Sequence, residues 1–292
     1  MKDELMKAVV TLCNDNAYSL GQITHPLLKQ YADKVGADFI IISESKLNLG
    51  NHNFEKFQMY ELFQKYERII YLDTDIILTP QCPNLFDIVP DDQFGAFLVS
   101  EHTYFHDGAI KTIQDKLGDI GWKRKYFNAG VMVISRSHKE IFSKEYGLLE
   151  WAKVTGSFYD QTLLNYTVQK LNIPIYDIGY KFNHTTDPKN TNSRFGRKIN
   201  QVINLANNLL SSVSPNYKKY REQQYNNERY IVSYKGKKPI QHRFQSYIIH
   251  YTGQGHRQTG SKVEQIQKDL SIINNKFLAS TISSLPYLER FI

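Results

Sequence analysis

The sequence holds only two cysteines in 292 residues, Cys13 and Cys82, and neither stands in a Cys-x-x-Cys pair. That excludes a disulfide framework and reads as a chain of a reducing compartment. Long apolar runs are missing as well: none approaches the eighteen or so residues needed to span a bilayer. The start, MKDELMKAVVTLC, places acids before an apolar run too short for a signal-peptide core. The expectation is a soluble cytoplasmic protein, with peripheral contact to a membrane surface left open. No internal repeat stands out. A composition 41% hydrophobic and 22% charged excludes global disorder.

Aromatic residues, by contrast, are plentiful. Twenty Tyr and sixteen Phe suit strands, pocket walls and sugar-stacking surfaces, although packing alone accounts for many of them. Positive charge is concentrated. Residues 185–245 carry twelve Lys/Arg against three Asp/Glu, a local balance of +9 within a chain of net +7. This Asn- and Tyr-rich segment is either solvated surface or a basic arm for an anionic acceptor, a phospholipid face or a nucleic acid. Nucleic acid ranks last, because only this segment speaks for it.

Short apolar runs alternate with helical patterns. KAVVTLC, DFIIIS, RIIYLDTD, FGAFLVS, FNAGVMVIS, IYDIGYKF and SYIIHYT read as strands, and residues 19–35 and 54–66 as helices. Near-continuous apolar strands alternating with helices predict an α/β protein, its mostly parallel sheet covered on both faces. Such sheets bind ligands at the carboxyl ends of their strands. Residues 1–184 and 246–260 are expected to form the catalytic domain. The 185–245 stretch is then an insertion, a candidate acceptor-binding subdomain with NQVINLANNLL as its one amphipathic turn. Residues 261–292 read as an amphipathic helix and a tail broken at Pro286, suited to core docking or homodimer formation.

The densest chemical signal is IIYLDTDIIL. A period of two puts Asp73 and Asp75 on one face, with Thr74 between them pointing away. Two carboxylates in apolar surroundings repel each other and pay desolvation unless a cation joins them. A divalent ion with hard oxygen ligands, Mn²⁺ or Mg²⁺, suits the pair and could bridge a diphosphate leaving group. Asp-x-Asp alone is weak, and a strand end with two solvated acids is the plain alternative. His250, in SYIIHYTGQGHR, is the candidate third ligand, on one strand face with Ile248 and Thr252. Gly253 and Gly255 after it would admit phosphate oxygens close to the backbone, and Arg257 would add charge. Lys56 lies three, four and seven residues before Met59, Tyr60 and Phe63, on an inward apolar stripe where a lysine needs an anion or must snorkel.

The runs VVTLCNDNAYSLGQ, DTD, YFNAGVMVIS, FYDQTLLNYTVQKL and IIHYTG stand in the order found in family 8 glycosyltransferases, the family of glycogenin and bacterial lipopolysaccharide galactosyltransferases. The chain resembles that family over about residues 7–183 and 246–257. The resemblance implies a GT-A fold, a UDP-sugar donor, Mn²⁺ and transfer of a hexose, glucose or galactose favoured, with retention. Matched by motif, Leu12, Asn14, Asp15 and Tyr18 would hold the uracil and ribose. Lys56, Thr74, Gly253 and Arg257 join them as cofactor-binding candidates, and Asn128 and Ala129 would contact the donor sugar. Asp160 and Gln161 match the pair near the anomeric carbon, although an acid that opens a helix is also a common cap. Two positions depart from the pattern: Ser157 replaces an acid, and His256, followed by Arg257, falls where a phosphate-binding lysine is usual.

Retention leaves two routes open. Asp160 could form a glycosyl-enzyme. Alternatively, acceptor and leaving group share one face, with the departing phosphate taking the acceptor proton and Gln161 stabilising the cationic sugar. The acceptor, whether glycan, lipid-linked or protein, is not specified. Two rival classes remain beside the nucleic-acid binder: a sugar-nucleotide pyrophosphorylase, which usually opens on a glycine-rich basic loop where this chain has LCNDNAYSLG, and a non-catalytic nucleotide-sugar-binding protein, which would lose the acids kept here.

Overall fold

Six strands form the central sheet in the order β2-β1-β3-β6-β5-β7: β1 (Lys7–Leu12), β2 (Asp38–Ile42), β3 (Arg68–Leu72), β5 (Phe94–Phe97), β6 (Asn128–Ser135) and β7 (Ile175–Asp177). A computed structural model describes residues 6–101, 106–154, 159–185, 205–206, 209–220, 230–231, 241–252 and 262–283. Strand β6 runs antiparallel to β3 and β5, while the other pairings are parallel. The mostly parallel sheet of the sequence expectation is therefore present, with one reversed strand at its centre.

Alternation along the strands divides the core between the two faces. Ala8, Val10, Ile69, Tyr71, Met132 and Ile134 point into one cluster, and Val9, Ile70, Leu72, Val131 and Val133 into the other. Both faces of the four inner strands β1, β3, β6 and β5 are buried, so both alternating sets must be apolar, and these strands read as continuous hydrophobic runs. Helix α1 (Tyr18–Lys34) covers the second face with Leu28, Tyr31 and Ala32. The first face carries α2 (Met59–Leu62), α4 (Asp107–Leu117), α5 (Leu148–Trp151) and α6 (Tyr159–Lys170), whereas α3 (Leu85–Ile88) lies with α1.

A second, three-stranded sheet has the order β4-β11-β8, from β4 (Ile76–Leu78), β8 (His184–Thr185) and β11 (Ile248–His250). Strands β9 (Tyr230–Ile231) and β10 (Gln241–His242) pair separately. The long helix Lys262–Ser283 packs Ile266 and Ile273 against Ile77, Ile249, Tyr251 and the Leu20, Ile23 and Leu27 side of α1. Core docking of this amphipathic segment is thus observed.

Three boundaries differ from the sequence reading. Residues 54–66 are a 3-10 stretch, His52–Gln58, followed by the single α-turn of α2. Strand β7 stops at Asp177, whose Oδ1 accepts from Gly179 N (2.9 Å) and Leu98 N (3.2 Å), and Gly179 turns at φ 72°. Strand β3 stops at Leu72, short of the acids. Of NQVINLANNLL, residues 205–206 and 209–210 are described and helical.

Candidate active site

The chain changes sheets at Asp73–Asp75, and that crossing builds the site. Asp73 N still donates to Gly130 O on β6 (2.8 Å). Beyond it, β4 leaves the large sheet and pairs antiparallel with β11, setting Ile76 opposite His250. The turn between is pinned by Thr74. Its hydroxyl donates to Leu12 O (2.7 Å), and its carbonyl accepts from Thr24 Oγ1 (2.7 Å). Asp75 O accepts from Tyr251 N (2.9 Å). The two acids share one side, as alternation predicts, but they do so through a turn. A straight strand could not have served both sheets.

Asp73, Asp75 and His250 offer ligand atoms that all lie within 4.8 Å of one another, a set able to hold a metal ion. His250 Nε2 is 3.1 Å from Asp75 Oδ1 and 3.4 Å from Asp73 Oδ2. Its Nδ1 lies 2.9 Å from Asn183 Oδ1, an oxygen that can only accept, so Nδ1 carries the hydrogen and Nε2 is the nitrogen turned to the acids. Metal-binding histidines are commonly held in this way through the other ring nitrogen. Gly130 supplies the room: a Cβ there would collide with His250 Cε1 and meet Asp73 Oδ2 at 2.8 Å. The donor set therefore fits a hard divalent ion.

Cations of the chain also balance the acids. Burial opposes ionisation of Asp73, but Lys56 and then His250 and Tyr71 outweigh it and hold the carboxyl well below the usual range. Asp75 is also held low, because His250 and Lys262 outweigh its burial. Burial pulls the His250 imidazole down, yet Asp75 and Asp73 push it up to about 9. Lys56, buried, is kept above the ordinary lysine value because Asp160 and Asp73 outweigh its desolvation. It bonds Asp160 Oδ2 at 2.7 Å and stands 3.2 Å from Asp73 Oδ1. The anion its position required is thus supplied by the protein itself. Rings of Phe57, Phe63 and Phe142 pack around the segment that carries it, at centroid distances of 6.1 and 6.3 Å to Phe142. Each such pair contributes about 1 kcal/mol beyond its burial.

Helix α6 brings Asp160 and Gln161 to the same place. Asn165 fixes it to the residue that precedes β6 by accepting from Phe127 N (2.7 Å) and donating to Phe127 O (2.9 Å). Ala129 N donates to Gln161 Oε1 (3.0 Å), and Tyr126 OH bonds Thr162 Oγ1 (2.8 Å). Asn128 Oδ1 accepts from Gly130 N and Asn183 Nδ2, each at 2.9 Å.

These groups surround a cavity of about 720 Å³. Leu12, Asn14, Lys56, Asp73, Thr74, Asp75, Asn128, Asp160, Gln161 and His250 all line it. Ala129, Asp15 and Tyr18 are not among the lining residues: Ala129 contributes its backbone N–H to Gln161, and Tyr18 is 63% exposed at the start of α1. Gly253 and Arg257 lie outside the described residues, as do Ser157 and His256. Gly130, Tyr71, Asn183 and Lys262 were missed by sequence reasoning. Only Gly130 carried a legible signal, as a glycine inside the apolar run NAGVMVI. A smaller hollow of about 400 Å³ beside α4, lined by Asp107, Lys111, Asp115 and Trp122 among others, shares no residue with this cavity.

The covered, mostly parallel sheet presents paired acids and a histidine to the cavity at its strand ends, the architecture of the α/β GT-A fold. Residues 28–256 match the family model described as Glycosyl transferase family 8, and the chain belongs to that family. Membership makes it a glycosyltransferase and sets the pyrophosphorylase reading aside. No curated protein sequence matches the chain. Among solved structures, the galactosyltransferase LgtC bound to donor and acceptor sugar analogs is 15% identical at TM-score 0.49, covering 89% of this chain and 94% of its own. GlyE of Streptococcus pneumoniae is 14% identical at TM-score 0.46, covering 96% of this chain and 64% of its own. Mouse xyloside xylosyltransferase 1 is 11% identical at TM-score 0.44, covering 88% of this chain and all of its own. Likeness at this level identifies neither donor nor acceptor. Among the described residues, no helix is long and apolar enough to cross a membrane.

Proposed function

We propose that this enzyme is a retaining, metal-dependent hexosyltransferase that uses a UDP-sugar, with glucose or galactose favoured, and Mn²⁺ ahead of Mg²⁺. The observation that carries the reading is the meeting of Asp73, Asp75 and His250 at the wall of a cavity that Asn128, Asp160 and Gln161 also line. Those three would hold the ion, which supplies electrostatic stabilisation of the departing diphosphate. Leu12 and Asn14 border the nucleotide side. Asn128 has its carbonyl taken by two donors, so its amide N–H is what it offers a sugar hydroxyl. Gln161, oriented by Ala129 N–H, keeps a second lone pair for the developing positive charge of the sugar. The Lys56 ion pair draws charge from Asp160 and weakens it as a nucleophile, which favours same-face transfer. On that route Asp160 orients Lys56 and shapes the sugar pocket.

A panel of UDP-sugars with and without Mn²⁺, followed by UDP release, tests the reading. One donor is expected to be hydrolysed slowly in a metal-dependent way, and Asp75→Ala is expected to abolish that turnover while keeping the folded circular-dichroism spectrum. Full activity of Asp75→Ala, or metal-independent turnover, would overturn it.

Leu205, Leu209, Leu210 and Val213 are exposed within the basic 185–245 stretch. Apolar side chains beside an excess of lysine and arginine support peripheral contact with an anionic membrane, where a lipid-linked acceptor would reside. Sedimentation with vesicles containing phosphatidylglycerol, lost on Leu209→Glu/Val213→Glu, is the expected result. Equal recovery with neutral vesicles or with the variant would dismiss it.

A further inference from the structure

Lys262 lies outside the residues that match the family model, yet its Nζ lies 2.6 Å from Asp75 Oδ2. His250 Nε2 takes the other oxygen of the same carboxylate at 3.1 Å. Around the cavity wall three acids, Asp73, Asp75 and Asp160, thus face three basic groups, Lys56, His250 and Lys262. Lys56 is enclosed, with only 6% of its side chain exposed. Lys262 is 30% exposed and has room to move.

What holds Lys262 there is the helix it opens. Seven residues on, and on the same face, Asp269 is fully buried and accepts from Arg243 Nε (2.8 Å), Arg243 Nη2 (3.0 Å), Tyr251 OH (2.6 Å) and Gln265 Nε2 (2.8 Å). Tyr251 is the residue after His250, and its N–H bonds Asp75 O. One buried anchor therefore sets the register of the helix against the strand that supplies the histidine. The Lys262 backbone is fixed at the cavity, and its four-carbon stem remains mobile.

An ammonium and a divalent ion held on one carboxylate repel each other and compete for its charge, and the doubly charged ion has the stronger claim on it. Once displaced, the tethered ammonium still overlooks a cavity into which the ion draws an anion. We propose that Lys262 neutralises Asp75 in the ion-free enzyme and, when the ion binds, is released to the anionic phosphates of the nucleotide. This rests on the metal-dependent reading given above. Its signature is two opposite effects of one residue: Lys262 opposes the ion and favours the nucleotide.

Mn²⁺ binding to the full chain, followed by electron paramagnetic resonance, and UDP binding at saturating Mn²⁺, followed by calorimetry, separate the two effects. Lys262→Met is expected to bind Mn²⁺ several-fold more tightly and UDP about tenfold more weakly, the loss of one charge-assisted hydrogen bond. Lys262→Arg restores UDP binding. In the wild type, amine acylation read by mass spectrometry should reach Lys262 faster with Mn²⁺ than without, a result that needs no variant. Unchanged affinities, a parallel fall of both, or labelling indifferent to Mn²⁺ would overturn the proposal while leaving a metal-binding wild type intact. A wild type that binds no Mn²⁺ would overturn it together with the metal site.

Discussion

Gly130 and His250 stand so close that a β-carbon on residue 130 would collide with the imidazole Cε1. The ring cannot retreat, because Asn183 holds its Nδ1 and the residue is buried. Gly130→Ala should therefore displace His250 or Asp73. We expect Mn²⁺ affinity to fall roughly a hundredfold, toward the upper end for disturbed metal shells, with the fold kept. Resonance-detected titration of Mn²⁺ checks it, and wild-type affinity in the variant would refute the cradle.

Asn183 fixes the histidine tautomer and also donates to Asn128. Asn183→Leu should weaken Mn²⁺ binding about 10–100-fold, the usual cost of losing such a partner. Nuclear magnetic resonance of the Mg²⁺-loaded enzyme should show the His250 Nδ1 proton of the variant moved upfield and exchanging faster with water, its acceptor gone. A ring signal identical to wild type would argue against this role.

Lys56→Met leaves Asp160 buried without its cation. Removing one partner of a buried pair costs about 3–5 kcal/mol. Denaturant titration should show that loss, and adding Asp160→Asn should recover part of it by neutralising the stranded carboxylate. If the double variant were less stable than the single one by the full cost of a second lesion, the pair would not be coupled.

His106, stacked on Tyr126 at 4.0 Å, has its imidazole pushed down to about 4 by burial. Above pH 6.5 the ring is neutral in folded and unfolded chains alike and adds no pH dependence. Between pH 6.5 and 4 only the unfolded chain takes up the proton, so stability falls with acidification by about 1.4 kcal/mol per pH unit from this group. His106→Phe should show a slope smaller by nearly one proton when denaturation midpoints are compared across that range. Equal slopes would mean that the ring titrates normally in the folded protein.

Much of this protein was legible in its residues. The inner strands of the large sheet were readable because both faces are buried, which leaves continuous apolar runs; helix α1 was readable from its period. Asp73, Asp75 and His250 were named as ligands from local pattern, and they do converge. The sequence pattern carries the strand past Leu72, whereas in the structure a turn sets the two acids side by side. The break is invisible locally, since IIYLDTDIIL keeps its apolar flanks on both sides.

Sequence by itself determined the strand-forming runs, the family motifs and the chemical nature of each ligand, because those depend on side-chain type and near neighbours. Only the tertiary structure decided that Lys56 is claimed by Asp160, that Asn183 aims the histidine, and that Lys262 reaches Asp75 from 187 positions along the chain. Such contacts arise where separate elements are packed together. Their energy depends on distance and burial, which no local spacing encodes.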